Sequence, residues 1–238
     1  MVAIITQARV NSSRLPNKIF LEADSHPFLH YHIERLKKTG LPIIIATTND
    51  GSEKPIVEFC KTNNLSCYCG DQQNVLKRFY ECAKEFRLNT IIRVTSDCPL
   101  IDGNIIANGL TVYSQFDDVT YYSNTIERTY PRGMDYEIFS FRLLEDAFKN
   151  ATNDSDKEHV TPYIWKNRSG KVNIRHDIAG EDNSNFRITL DTVEDQILIT
   201  KLVEEHNASA LDCNAIVKIL KNNPGLPEIN KFIEQKKV

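Results

Sequence analysis

The chain has no unbroken apolar run of about 18 residues, so nothing in it reads as a membrane-spanning helix. Its first residues enter a short apolar run without the charged segment and small-residue cleavage site of a secretory signal, so a soluble cytoplasmic protein is expected. Positive charge is not in excess: 29 Lys and Arg against 32 Asp and Glu give a net charge of −3, which argues against general nucleic-acid binding. Cysteines at 60, 67, 69, 82, 98 and 213 show neither Cys-x-x-Cys spacing nor a nearby His pair, so a zinc site is not expected. Buried apolar thiols in a reducing compartment are the expectation instead. The Gly-x-x-x-x-Gly-Lys-Ser/Thr phosphate loop is missing. So are repeats, low-complexity tracts and any linker long enough to divide the 238 residues into independent domains.

What remains is an alternation of strands and helices. Apolar runs at residues 2–8, 42–48, 66–70 and 90–95 read as strands, and residues 26–39, 53–62 and 73–86 carry apolar side chains at helical spacing. That order predicts an α/β fold of Rossmann-like type, a mainly parallel sheet with helices on both faces. The alternation breaks from about 116 to 182, where residues 134–141 alternate like an exposed strand and 172–177 could pair with it or with a partner chain. Helical segments are expected near 141–149 and 157–166, and the main sheet is expected to resume at 186–190, followed by a helix over 192–205. A small projecting lobe over about 120–180, used for dimerisation and for the acceptor, follows from this reading.

Chemistry concentrates where the strands end. Ala8-Arg-Val-Asn-Ser-Ser-Arg-Leu-Pro-Asn-Lys18 follows the first strand and holds three cations with no Asp or Glu before Glu22. Arg forks, a Lys point charge and hydroxyls are an inventory suited to a triphosphate at the carboxyl end of a strand. A solvated, Ser-rich basic turn would carry the same charge. Asp97 ends the apolar run Ile91-Ile-Arg-Val, and Asp191 ends Phe186-Arg-Ile-Thr-Leu. Short hard carboxylates in such places suit Mg²⁺, or cap the following turn or helix, as Asp102 is expected to do. Thr192 is the expected helix cap, with Glu194 and Asp195 as helix-end charges; Arg187 either sits beside the phosphates or pairs with a surface acid.

The spacing Ala-Arg-x-x-Ser-x-Arg-x-x-x-Lys after an N-terminal strand resembles the signature loop of the sugar cytidylyltransferases. The fuller string Ile-Ile-Thr-Gln-Ala-Arg…Ser-Arg-Leu-Pro-Asn-Lys looks most like the branch named for the spore-coat polysaccharide biosynthesis protein F. Asn11 and Asn17 stand where that branch usually has Gly. Ser96-Asp97-Cys-Pro-Leu resembles the family's Gly-Asp-x-Pro-Leu, and Leu190-Asp191-Thr-Val-Glu-Asp195 its Leu-Asp-Thr-Pro-Glu-Asp. Gly70-Asp-Gln-Gln-Asn-Val-Leu-Lys-Arg78 resembles Gly-x-x-x-Asp-Val-Leu-x-Arg, with Asn74 in the place of Asp, where a cap role is expected.

The resemblance implies a Mg²⁺-dependent nucleotidyltransferase that couples CTP to a small sugar acid, giving a CMP-sugar and pyrophosphate. It implies Ala8, Arg9, Ser12, Ser13, Arg14, Lys18 and Arg78 at the nucleotide, with Arg14, Lys18 and Asp97 in catalysis. Asp97 and Asp191 would hold the metal. Arg132, in the turn Tyr130-Pro-Arg-Gly-Met-Asp135, is the leading candidate to clamp the acceptor carboxylate, and His159 in Glu158-His-Val-Thr-Pro-Tyr163 is a second acceptor candidate. A homodimer is implied, with no nucleic-acid or membrane partner. The alternatives are another NTP, a sugar-phosphate acceptor, or a nucleotide-sugar-dependent glycosyltransferase. That last class usually needs an Asp-x-Asp motif, and Asp117-Asp118 and Asp154-Ser-Asp156 do not end an apolar strand.

Overall fold

A computed structural model of the chain describes residues 1–12 and 14–234. Nine strands occur among them: β1 (Val2–Gln7), β2 (Glu22–Ala23), β3 (His26–Pro27), β4 (Ile43–Thr48), β5 (Ser66–Gly70), β6 (Thr90–Thr95), β7 (Thr120–Ser123), β8 (Glu137–Ser140) and β9 (Asn173–His176). The helices are α1 (Phe28–Lys37), α2 (Lys54–Thr62), α3 (Val75–Glu85), α4 (Gly103–Tyr113), α5 (Phe141–Asn150), α6 (Asp154–His159), α7 (Pro162–Trp165), α8 (Val193–His206), α9 (Cys213–Asn222) and α10 (Gly225–Glu228). Seven strands form one sheet in the order β5-β4-β1-β6-β8-β7-β9, and β2 and β3 make a separate two-stranded ribbon. The first four strands of that order are mutually parallel, β8 is antiparallel to both its neighbours, and β9 returns parallel to β7. The mainly parallel α/β sheet expected from the alternation is therefore present.

Alternate residues of each strand face opposite layers. Ala3, Ile5, Ile44 and Ile91 pack under α3 and α5, whereas Ile4, Ile45, Ile92 and Val94 pack under α1, α2 and α4. Residues buried on both faces are what makes these strands continuous apolar runs. A third cluster joins Leu198 and Leu202 of α8 and Ile216 of α9 to Phe28, Phe186 and Ile188, covering the carboxyl-terminal side of the sheet.

Three expectations fail. Residues 134–141 do not form an exposed ribbon: β8 lies inside the sheet between β6 and β7, and all four of its residues are buried. Its polar positions mimicked a solvent face because they are buried with partners, Glu137 accepting from Tyr121 and Thr161, and Ser140 donating to the Asp118 carbonyl. That strand therefore supplies no unpaired edge for a second copy of the chain, and β7 to β9 extend the main sheet rather than project from it. Residues 186–190 do not rejoin the sheet either. They run extended, exchanging backbone hydrogen bonds with Arg132 and donating from the Leu190 amide to the Asp97 carbonyl. The helix expected over 157–166 is two helices, broken at Val160, which has φ 73° and ψ −54°.

Candidate active site

The β1 carboxyl end delivers residues 8–18. Buried Ala8 continues the ladder through its amide to the Ala46 carbonyl, and the Asn17 amide closes the loop onto the Val10 carbonyl at 3.2 Å. Asn17 takes φ 55°, a conformation Asn tolerates better than most non-Gly residues. It starts the short 3₁₀ turn Lys18–Phe20, and buried Leu15 and Ile19 anchor the backbone on either side. Arg9, Ser12 and Asn17 border an open depression of about 560 Å³. Arg14 is exposed and Lys18 is buried, so the loop is not a solvated turn throughout. The expected role of Ser13 falls on a residue outside the described ones.

Lys18 points inward to the two strand-end carboxylates. Its Nζ donates to Asp97 Oδ2 at 3.0 Å and to Asp191 Oδ1 at 2.8 Å. Asp97 Oδ1 accepts from the Thr95 hydroxyl at 2.5 Å. Asp191 Oδ2 faces Arg14 and Arg187, each at 3.2 Å. Burial pushes the Asp97 carboxyl up, but Lys18 and Thr95 outweigh it and hold the group down at about 2. For Lys18 burial works downward, and the attraction of Asp97 and Asp191 leaves it above its ordinary value.

Asp191 is fixed from behind. Asp195, fully buried, accepts from Arg187 Nε at 2.8 Å and Nη2 at 2.9 Å, from Asn230 at 2.8 Å and from the Asp191 amide at 3.0 Å. It also completes a capping box with Thr192 at the start of α8. Asp195 is thus the helix-end charge expected and a buried partner as well, and Arg187 pairs with Asp191 and Asp195 rather than with a surface acid. Asp102 is the helix cap it was expected to be, accepting from the Asn104 amide at 2.9 Å, and Asn74 caps α3 through the Lys77 amide.

Arg78 is 3% exposed, donates to the Asp71 carbonyl and has no partner at Nε. Burial, then the nearby Arg9 charge, pulls its guanidinium down to about 10. Two cations close enough to repel one another suit an anionic ligand.

A second cavity, of about 630 Å³, is lined by Thr95, Arg128, Arg132, Glu137, His159 and Trp165, among others. Arg132 and His159 therefore share one cavity, and Thr95 joins it to Asp97. Arg128 is held bidentately by Asp135 at 2.5 and 2.9 Å, and Glu137 neutralises Arg93. Arg132 forms no ion pair among the described residues. Gly133 makes its turn possible: φ is 104°, and a Cβ there would lie 2.6 Å from the Ile188 carbonyl oxygen. Burial lowers the His159 imidazole below its ordinary value, which favours its neutral form. The Thr161 amide donates to the His159 carbonyl at 2.9 Å, a γ-turn with buried Val160 at its centre. Such a turn is rare and strained for a β-branched residue, and it aims both neighbours at the cavity.

Of the four carboxylates weighed for an Asp-x-Asp motif, three are otherwise employed: Asp117 with Thr120, Asp118 with Arg142, and Asp156, buried, with Arg168. A family model described as Cytidylyltransferase matches residues 3–237. The chain belongs to the cytidylyltransferase family. It is accordingly a nucleotidyltransferase. Spore coat polysaccharide biosynthesis protein SpsF of Bacillus subtilis is 27% identical, over 94% of this chain and 95% of its own. A 3-deoxy-manno-octulosonate cytidylyltransferase of Colwellia psychrerythraea is 29% identical over 44% of this chain and 38% of its own. The structure of a cytidylyltransferase from Leptospira borgpetersenii superposes with a TM-score of 0.89 at 28% identity, covering 99% of both chains. No helix among the described residues is long and apolar enough to cross a membrane.

Sequence reasoning overlooked Arg93, Glu137 and Thr161 in the cavity wall. The signal was there for Arg93, a charged residue in the middle of the apolar run Ile91-Ile-Arg-Val. A buried strand admits such a charge only with a partner.

Proposed function

We propose that the chain transfers a cytidylyl group from CTP to the anomeric hydroxyl of an α-keto sugar acid, with release of pyrophosphate. The observation that carries the acceptor class is Arg132, a guanidinium with no ion pair among the described residues, in a cavity whose wall includes Thr95, the hydrogen-bond partner of Asp97. A planar carboxylate matches its bidentate fork. The relatives named for spore-coat polysaccharide and for 3-deoxy-manno-octulosonate support the same class. In this reading Arg9, Ser12, Arg14, Lys18 and Arg78 hold the nucleotide. The acceptor oxygen bonds to the α-phosphorus, the bond to the β-phosphate bridge breaks, and the hydroxyl proton goes to water. Arg14 and Lys18 meet the charge that grows on the leaving pyrophosphate, worth roughly 3–4 kcal/mol of barrier for one such contact. His159 accepts a hydrogen bond from the acceptor.

Mg²⁺ fits the donors present. Asp97 and Asp191 offer hard oxygens converging on one cation, the Lys18 ammonium, and Mg²⁺ is ordinarily held by one or two carboxylates with waters and substrate phosphates. Among the described residues no group of three or more His, Cys, Asp or Glu could hold a metal by protein alone. Asp97 and Asp191 would share the ion with the triphosphate, and bound there it neutralises phosphate charge.

The test is pyrophosphate release with each NTP against an eight- or nine-carbon keto sugar acid and a hexose 1-phosphate at equal concentration. CTP with the keto acid is expected to turn over; turnover of the hexose phosphate alone would sink the acceptor assignment.

A further inference from the structure

The cation that the two carboxylates already hold belongs to the protein. Lys18 is 8% exposed, and its ammonium occupies the point where Asp97 Oδ2 and Asp191 Oδ1 converge. Every oxygen of both carboxylates is engaged: Asp97 Oδ1 by Thr95, Asp191 Oδ2 by Arg14 and Arg187. The charges balance as well. Lys18, Arg14 and Arg187 face Asp97, Asp191 and Asp195, three against three.

A divalent cation entering this balanced cluster alone would meet an ammonium at the same coordinates. Like charges in a partly buried site repel with little screening. A triphosphate arriving on the loop changes that, because it offers Lys18 and Arg14 other oxygens. The loop is built for such an exchange in its side chains. Leu15 and Ile19 pin the backbone, while the four-carbon stem of Lys18 can swing and the Arg14 side chain is 39% exposed.

We infer that Lys18 is an internal counter-cation that closes the two-carboxylate site until nucleotide draws it away, so that divalent cation and nucleotide bind as a coupled pair. The inference rests on Asp97 and Asp191 being the metal carboxylates. Coupling of this kind is reciprocal: CTP tightens metal binding by the factor by which metal tightens CTP binding.

The experiment counts free Mn²⁺ by electron paramagnetic resonance against the full chain, with and without CTP, correcting for Mn²⁺ bound to CTP in solution. Wild type without nucleotide is expected to take up Mn²⁺ weakly, and CTP to tighten uptake by roughly 5–150-fold, the usual range of coupling between sites. Lys18→Met should gain nucleotide-free Mn²⁺ binding by a similar factor, and Asp97→Asn in that background should remove the gain. Nucleotide-free wild type binding Mn²⁺ as tightly as folded Lys18→Met overturns the inference while leaving the metal carboxylates standing. If Asp97→Asn takes up Mn²⁺ with CTP as wild type does, the metal assignment itself fails and the counter-cation with it. Should Lys18→Met fold poorly, thermal melts of Lys18→Ala decide: Mn²⁺ must raise its midpoint more than it raises that of wild type, and an equal rise refutes the idea.

Discussion

Asp195→Asn is the perturbation that best tests how the site is built. The substitution preserves shape but removes the charge that accepts both Arg187 nitrogens, at 2.8 and 2.9 Å. Arg187 is 7% exposed and would keep its contact with Asp191, at 3.2 Å. Removing one partner of a buried pair costs about 3–5 kcal/mol, and the surviving contact with Asp191 argues for the lower end, about 3 kcal/mol. At roughly 2–4 °C per kcal/mol for a domain of this size, the melting midpoint should fall by about 6–12 °C. Activity should fall further than stability explains. Without the Asp195 charge, Arg187 pulls harder on Asp191 Oδ2, and the amide can no longer accept from the Asp191 backbone as a carboxylate does. With Asp191 holding the metal as proposed, a change in the groups that orient it should cost about 10–100-fold. The assays are urea denaturation, and pyrophosphate release at saturating CTP well below the midpoint. A loss under about 1 kcal/mol with undiminished turnover would refute the argument that Asp195 holds the site from behind.

Arg132→Met should raise KM for the sugar acid by roughly 10–150-fold, the worth of about 1.5–3 kcal/mol for hydrogen bonds to a charged group, with KM for CTP unchanged in steady-state kinetics. Gly133→Ala should cost about 1–3 kcal/mol from its φ of 104° alone and also weaken acceptor binding, since the clash with Ile188 displaces the adjacent Arg132. The Asp97 carboxyl is held at about 2 in the folded protein, below its unfolded value near 3.8. A depressed acid stabilises above its unfolded value, so about 2 kcal/mol should be lost as pH falls from about 4 to 2. Denaturation curves across that window should show this loss shrinking in Lys18→Met, where the carboxyl has lost the charge that depresses it.

The sequence by itself determined the elements that local chemistry dictates. Apolar runs buried on both faces announced β1, β4 and β6, and the polar residues that follow them marked Arg14, Lys18 and Asp97 as candidate site residues, because a strand's carboxyl end opens into a loop at the sheet's edge. The cap roles of Asp102, Asn74 and Thr192 were legible for the same reason: a cap bonds within three residues of itself. Only the tertiary structure decided what depends on partners far along the chain. Glu137 looked like one polar step of an exposed ribbon, and is buried because Tyr121, Thr161 and Arg93 meet it from other elements. Asp195 was legible as a helix-end charge, but that it is interior was decided by Asn230 and Arg187, which close over it. Lys18, read as a phosphate ligand, sits between carboxylates 79 and 173 positions away in the chain. Nothing in local periodicity records such a meeting, because the energy that fixes a buried charge resides in whichever opposite charge the fold brings within hydrogen-bond reach.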